Sequence, residues 1–338
     1  EKTEIISLIN QTINTPRNLT CISRPRRFGK SFAAKMLCAY YDKTCDSKEL
    51  FDDLKIAKDD EYLKYLNQYD VIYLDMASVL GVTSSEDAVS YVKRNITEEV
   101  LDIYSEVKEA EALFDTLANL VTYTGNKIIM IIDEWDVLIR DMAANSKIQD
   151  EYISFLRGLF KGTEPTKYIQ LAYLTGILPI KKEKTQSALN NFDEFTMLSA
   201  GRLSPYIGFT EAEVKELSER YQVEFDKVKA WYDGYVLRNC QVYNPKAVVS
   251  VMLDGEFKSY WSETASYEAI VPLINMDYDG LKTAIIEMLS GVEVKVDTST
   301  FGNDISNIQS KDDVLTYMIH LGYLGYDQTK KMAFVPNE

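Results

Sequence analysis

Gly29, Lys30 and Ser31 stand together in the stretch Leu19 to Leu37, LTCISRPRRFGKSFAAKML. That trio can cradle a triphosphate. Glycine lets the backbone approach the phosphates, lysine reaches the outer ones, and a serine hydroxyl can hold magnesium. About one hundred residues on, Asp133 and Glu134 close an apolar run in NKIIMIIDEWD. A carboxylate at a strand end can hold a magnesium water shell. The next one can orient or deprotonate an attacking water. Together the two stretches ask for magnesium-ATP and for in-line attack of water on the γ-phosphate.

Chemistry of that kind needs strands that end at the loop and at the carboxylates. Leu19 to Ser23 reads as a short strand before the loop, and Ser31 to Tyr41 as the helix after it, with Phe32, Met36, Leu37 and Tyr40 inward. Residues 1 to 15 read as a helix ended by Pro16. QYDVIYLDM, Gln68 to Met76, reads as a strand whose Val71, Ile72, Tyr73 and Leu74 are continuously apolar, as for a strand covered on both faces. It ends in Asp75, which is either a structural terminus or an indirect support for magnesium. Tyr168 to Ile177 is a further strand. Its Thr175 either positions water near the γ-phosphate or forms a turn with Gly176. Strands alternating with helices of crossover length predict an α/β layered domain with a mostly parallel sheet. Ligands of such sheets bind at the carboxyl ends of the strands.

The second half reads as mostly helical. Thr210 and Glu213 form a capping box for a helix to Tyr221. Asn244-Pro245 opens another helix, and 281–289 and 311–321 are further ones. The Trp231 to Tyr235 turn is an aromatic packing element between units or an adenine platform. His320, on the apolar side of its helix, is expected to be a packed residue. Gly322 to Asp327 with the tail from Lys331 to Pro336 as a returning second arm predicts a hairpin, hence a winged-helix-like end. The expected divisions are 1–180, an ATPase core; 181–255, a helical lid and linker; and 256–338, a small helical unit.

Bulk properties bound the answer. The chain has 338 residues, 46% apolar and 26% charged, as for an ordinary globular protein. Its 37 basic and 52 acidic side chains give a net charge of −15, which disfavours non-specific nucleic-acid binding. One histidine excludes histidine-rich metal sites, and four cysteines without CxxC spacing exclude a zinc knuckle. Reduced thiols in a cytoplasmic protein fit that usage. No long apolar span or signal peptide is seen, so no membrane is expected.

The place of the first phosphate-loop glycine is taken by Arg24. Arg24, Arg26 and Arg27 either add charge to the cradle or face an acidic partner. ISRPRRFGKSFAAKML, IIMIIDEWD, LTGILPIKKE, FTMLSA, WYDGY, VYNPKAVVSVM and MIHLGYLGYD resemble, in this order, segments of the AAA-ATPase-like family of gut and anaerobic bacteria. The resemblance runs through nearly the whole chain. It implies a P-loop NTPase three-layer sandwich with a mainly helical lid and a winged-helix-like C-terminal unit, related to AAA and STAND ATPases. By that likeness Lys30 and Ser31 are the Walker A pair, and Asp133 and Glu134 the Walker B pair. Nucleotide contacts are expected from Arg26, Arg27, Phe28, Gly29, Lys30, Ser31 and Phe32. Ser31 and Asp133 are expected to bind Mg2+, and Glu134, Lys30 and Thr175 to serve catalysis.

In many family members a PD-(D/E)XK nuclease-like domain follows the segment resembling FVPNE, Phe334 to Glu338. The expectation is an ATPase portion that regulates such an attached effector, or a naturally shorter member. Pro179 stands where relatives usually carry a basic residue; Lys181 or Lys182 could substitute, and Arg140, Arg157 and Arg202 are arginine-finger candidates. A second reading is a nucleic-acid- or protein-binding module with weak or no hydrolysis, motivated by the basic loops and the wing. A third is a purely structural α/β domain. The sequence sets neither the oligomeric state nor the pathway.

Overall fold

The apolar runs of the first half become strands of one sheet. The computed structural model describes residues 1–142, 145–180, 182–183, 186–187, 189–260 and 270–336. Lys181, Lys184, Trp261, Asn337 and Glu338 lie outside the described residues. Strands β1 (Leu19–Ser23), β2 (Val71–Asp75), β3 (Ile128–Asp133), β4 (Ile169–Gly176) and β5 (Asp193–Phe195) lie in the order β2-β3-β4-β1-β5. The β2–β3 and β3–β4 pairs are parallel, with Asp75 opposite Asp133. Parallel neighbours need crossovers, and helices supply them. After α1 (Glu4–Asn10), which precedes β1, these are α2 (Lys30–Tyr41), α3 (Met76–Val82), α4 (Ala88–Ile103), α5 (Leu113–Thr124), α6 (Val137–Asp141) and α7 (Ser146–Phe160).

Two compact units emerge. The first holds Glu1–Ile22, Ser31–Gly176 and Ile180–Glu194; the second holds Ser23–Lys30, Ile177–Pro179 and Phe195–Glu338. In the first unit every residue of β3 is buried, as a central strand between two helical layers requires. Alternate residues Ile128, Met130 and Ile132 enter one core with Val92 and Ile96 of α4, Leu117 and Leu120 of α5, and Leu156 and Leu159 of α7. The expectation of a fully covered β2 fails: its five residues are all half-buried, because it is the sheet's edge strand. The first helix also stops earlier than expected. Thr12 and Thr15 hydroxyls bond the carbonyls of Ile9 and Thr12, the local competition that favours turns over helix.

In the second unit, β6 (Phe209–Thr210), β7 (Tyr235–Leu237) and β8 (Cys240–Tyr243) form an antiparallel sheet with β8 central. Around it pack α8 (Glu211–Tyr221), α9 (Phe225–Tyr232) and α10 (Pro245–Asp254), through Val214, Val228, Tyr232, Val248 and Val251. The predicted capping box at Thr210 and Glu213 is formed in full. Asn244 caps α10, with Pro245 at its first turn, where the missing N–H costs nothing. Farther on come α11 (Leu281–Leu289), β9 (Val294–Lys295), α12 (Lys311–Leu321), β10 (Gly325–Asp327) and β11 (Met332–Phe334). The last three strands form an antiparallel sheet in the order β9-β11-β10. Residues Asp313 to His320 of α12 are all buried. His320 is among them, 6.1 Å from the Phe301 ring, so the sole histidine is a core residue.

Candidate functional site

The basic loop follows β1 directly. Ser23 donates its hydroxyl to the Leu178 carbonyl at 2.8 Å. Arg24, in the place of the missing glycine, is buried: Nη1 donates to the carbonyls of Ser23 at 2.9 Å and Phe195 at 3.1 Å. It braces backbone and presents no charge to a partner. Arg26 and Arg27 are exposed. Arg27 and Gly29 have positive φ, 68° and 90°, and this turn returns the chain into α2.

Lys30 is 4% exposed. Its ammonium folds back on the loop and donates to the carbonyls of Arg24 at 3.0 Å and Pro25 at 2.9 Å. Phe28 is buried against Tyr235, edge to face. Gly208 lies beside it, at φ +112°, where a Cβ would sit 2.3 Å from Val242 Cγ1 and 3.3 Å from the Phe28 ring. Ser31 is half-buried at the start of α2, and Phe32 is 83% exposed. The inward expectation for Phe32 is therefore corrected. Ala33, Ala34, Leu37, Tyr40 and Tyr41 form the buried face.

The carboxylates belong to the first unit. Asp133 is 2% exposed at the end of β3. It accepts hydrogen bonds from the Thr175 hydroxyl, from the Glu134 N–H at 3.1 Å and from the Tyr73 hydroxyl at 3.4 Å. Burial first, and then the Asp133 charge, push the Tyr73 phenol above its ordinary value. The Thr175 carbonyl accepts the Trp135 N–H at 2.9 Å, which ties the chain after β3 to the end of β4. Gly176 is needed beside them: a Cβ there would lie 2.7 Å from both Asp136 Oδ1 and the Trp135 indole nitrogen.

Glu134 takes the left-handed conformation, φ 54°, and its side chain is 23% exposed. Its Oε2 lies 3.4 Å from Arg140 Nη2. Arg140, one of the three finger candidates, thus has carboxylate partners within its own unit. Asp75 caps α3, accepting from the Ser78 N–H and hydroxyl at 3.1 and 2.8 Å. That is the structural reading of its two.

Ser31 and Asp133 offer hard oxygen donors that suit magnesium. Among the described residues no group of three or more His, Cys, Asp or Glu could cage a metal unaided. Magnesium commonly keeps water and takes substrate phosphate beside one or two protein ligands, so this donor set fits it. The sequence shows Tyr73 only as a strand residue and Arg140 only as a finger candidate; their contacts with Asp133 and Glu134 come from the structure. Tyr73 left no local trace, because it reaches Asp133 across two strands. Arg140 left one, the four-residue spacing from Asp136 that pairs opposite charges on a helix.

Among the comparisons with known proteins, one names a class. A family model described as "AAA-ATPase_like: Predicted AAA-ATPase" matches residues 1–185. A curated relative from Azotobacter chroococcum mcd 1, "Uncharacterized protein in vnfD 5'region", is 25% identical over 321 residues. The match covers 93% of this chain and 58% of the relative, so the chain spans little more than half that protein's length. Among solved structures, Aeropyrum pernix ORC2 in ADPNP-ADP complexes aligns at 10% identity, covering 98% of this chain and 88% of that one, with a TM-score of 0.34. Cdc6p from Pyrobaculum aerophilum aligns at 12% identity, covering 99% and 89%, with a TM-score of 0.35. At those scores neither likeness carries weight for function. Among the described residues no helix is long and apolar enough to cross a membrane.

Proposed function

This chain belongs to the AAA-ATPase-like family of predicted ATPases, and from that premise we propose that it binds magnesium-ATP and hydrolyses the γ-phosphate bond. The observation that carries the reading is the buried Asp133, locked by Thr175 and followed by the partly exposed Glu134. A carboxylate so fixed suits a metal water shell. A neighbour with solvent access suits an attacking water.

Lys30, released from its loop carbonyls, meets the outer phosphates. The loop amides and the exposed Arg26 and Arg27 add positive field. The nucleotide set is completed by Phe28, Gly29, Ser31 and the exposed Phe32. Ser31 and Asp133 would hold magnesium, which when bound would supply charge neutralisation at the phosphates. Glu134 orients and deprotonates water. Thr175 serves through Asp133, whose carboxylate it fixes.

The same proposal extends to the whole protein: nucleotide state regulates an attached effector, a nuclease-like domain by family likeness. Support for a winged-helix-like C-terminal unit comes from the order α11, β9, α12, β10, β11 with β11 central. The burial of Asp313 to His320 gives α12 no free face for a nucleic-acid groove, so the nucleic-acid reading is the weaker one. Calorimetry and turnover of two variants test the assignment. Lys30→Ala is expected to abolish magnesium-ATP binding, and Glu134→Gln to keep binding and cut turnover to a small residual. Wild-type hydrolysis in both would remove it.

A further inference from the structure

The two adjacent carboxylates have separate supports. Asp133 rests on Thr175 and Tyr73. Glu134 rests on Arg140, whose guanidinium reaches three carboxylates: Glu134 Oε2 at 3.4 Å, Asp136 Oδ2 at 3.4 Å and Asp141 Oδ1 at 3.0 Å. The Arg140 side chain is 8% exposed and that of Asp136 is 0% exposed. Burial works against the guanidinium charge, but Asp136, Asp141 and Glu134 together hold it above its ordinary range. Asp136 lies one helical turn before Arg140, so that contact is local to α6. Glu134, by contrast, lies before the helix, in a left-handed residue. A planar guanidinium holds its partners in a rigid fork, whereas an ammonium is a compact charge on a flexible stem that fixes no such orientation.

We propose, resting on the magnesium-ATP reading above, that Arg140 is a positioning residue for Glu134. Asp136 and Asp141 fix the guanidinium, and the fixed guanidinium aims the Glu134 carboxylate at the attacking water. Arg140 itself touches neither nucleotide nor water. Its removal therefore costs turnover and leaves affinity alone.

The test compares Arg140→Lys, Arg140→Gln, Glu134→Gln and the double variant Arg140→Lys/Glu134→Gln, each by calorimetry with magnesium-ATP, by kcat and by thermal unfolding. Arg140→Lys keeps a cation beside Asp136 and loses the fork. It is expected to lower kcat about tenfold or more, the scale of a misplaced catalytic group, at unchanged Kd. In the Glu134→Gln background the same change should leave residual turnover as it was, because groups acting as a unit are not additive. Arg140→Gln leaves Asp136 buried without its cation. If that variant unfolds, Arg140→Lys decides alone. Undiminished kcat in Arg140→Lys, or the same loss with and without Glu134, overturns the positioning role. Full turnover in Glu134→Gln removes instead the catalytic reading on which it rests.

Discussion

The Phe28 ring of the basic loop meets the Tyr235 ring edge-on, with centroids 5.3 Å apart and planes at 81°. The Tyr235 hydroxyl in turn donates to the Gly322 carbonyl at 2.6 Å, at the end of α12. One side chain of the aromatic WYDGY turn thus joins the loop to the C-terminal helix within the second unit. Neither sequence reading of that turn, a packing element between units or an adenine platform, named this link.

Tyr235→Phe keeps the ring and loses the bond to Gly322. It is expected to lower unfolding free energy by about 1 kcal/mol, the net worth of one hydrogen bond. Tyr235→Ala also loses the aromatic contact and opens a cavity, for a cost of about 3–5 kcal/mol. Urea unfolding of the two variants checks the difference. Equal losses would show that the hydroxyl, and not the ring, carries the contact.

Thr175→Val keeps the side-chain shape and removes the donor to a carboxylate that is 2% exposed. Hydrogen bonds to charged groups are worth about 1.5–3 kcal/mol, and that loss is expected here. Thr175→Ser should recover most of it. The readout is a shifted guanidinium midpoint at unchanged slope. A Val variant as stable as the parent would show that Asp133 needs no support from β4.

Cysteine reactivity gives a pH test. Burial, and then the charge of Asp42, raise the Cys38 thiol from 9.0 to about 12. The thiolate is the nucleophile, so Cys38 should resist iodoacetamide at pH 8, while the exposed Cys45 is alkylated. Peptide mapping reads both sites. The raised value also has a sign for stability. The folded state favours the neutral thiol, so this contribution is whole below pH 9.0 and is lost as pH climbs towards about 12. Cys38→Ser should flatten that alkaline decline.

Much of the frame was legible because it is local. β1 was read to the residue from its apolar run before the arginines, and α11 and α12 from helical spacing. The capping box needed only Thr210 and Glu213. What escaped was carried by distant partners. Arg24 looked like a phosphate or partner contact until the Phe195 carbonyl, far along the chain, took its guanidinium. Tyr73 showed only as one apolar residue of a strand. Phe32 misled because its spacing to Met36 and Tyr40 is helical. The true inner face uses Ala33 and Ala34, small residues that an apolar count undervalues. For the site, the glycine–lysine–serine trio and the Asp133–Glu134 pair stood out by residue type, but their supports, Thr175 apart, did not.

On the nucleotide-binding proposal, the folded-back Lys30 would turn affinity into an exchange. An incoming phosphate must compete with the Arg24 and Pro25 carbonyls for the same ammonium. What a titration measures is the difference between the two partnerships. In this conformation the loop is latched from within, and on the proposed reading phosphate would unlatch it. Amide hydrogen exchange in residues 24–29 should then be governed by whichever partner holds the lysine at that moment.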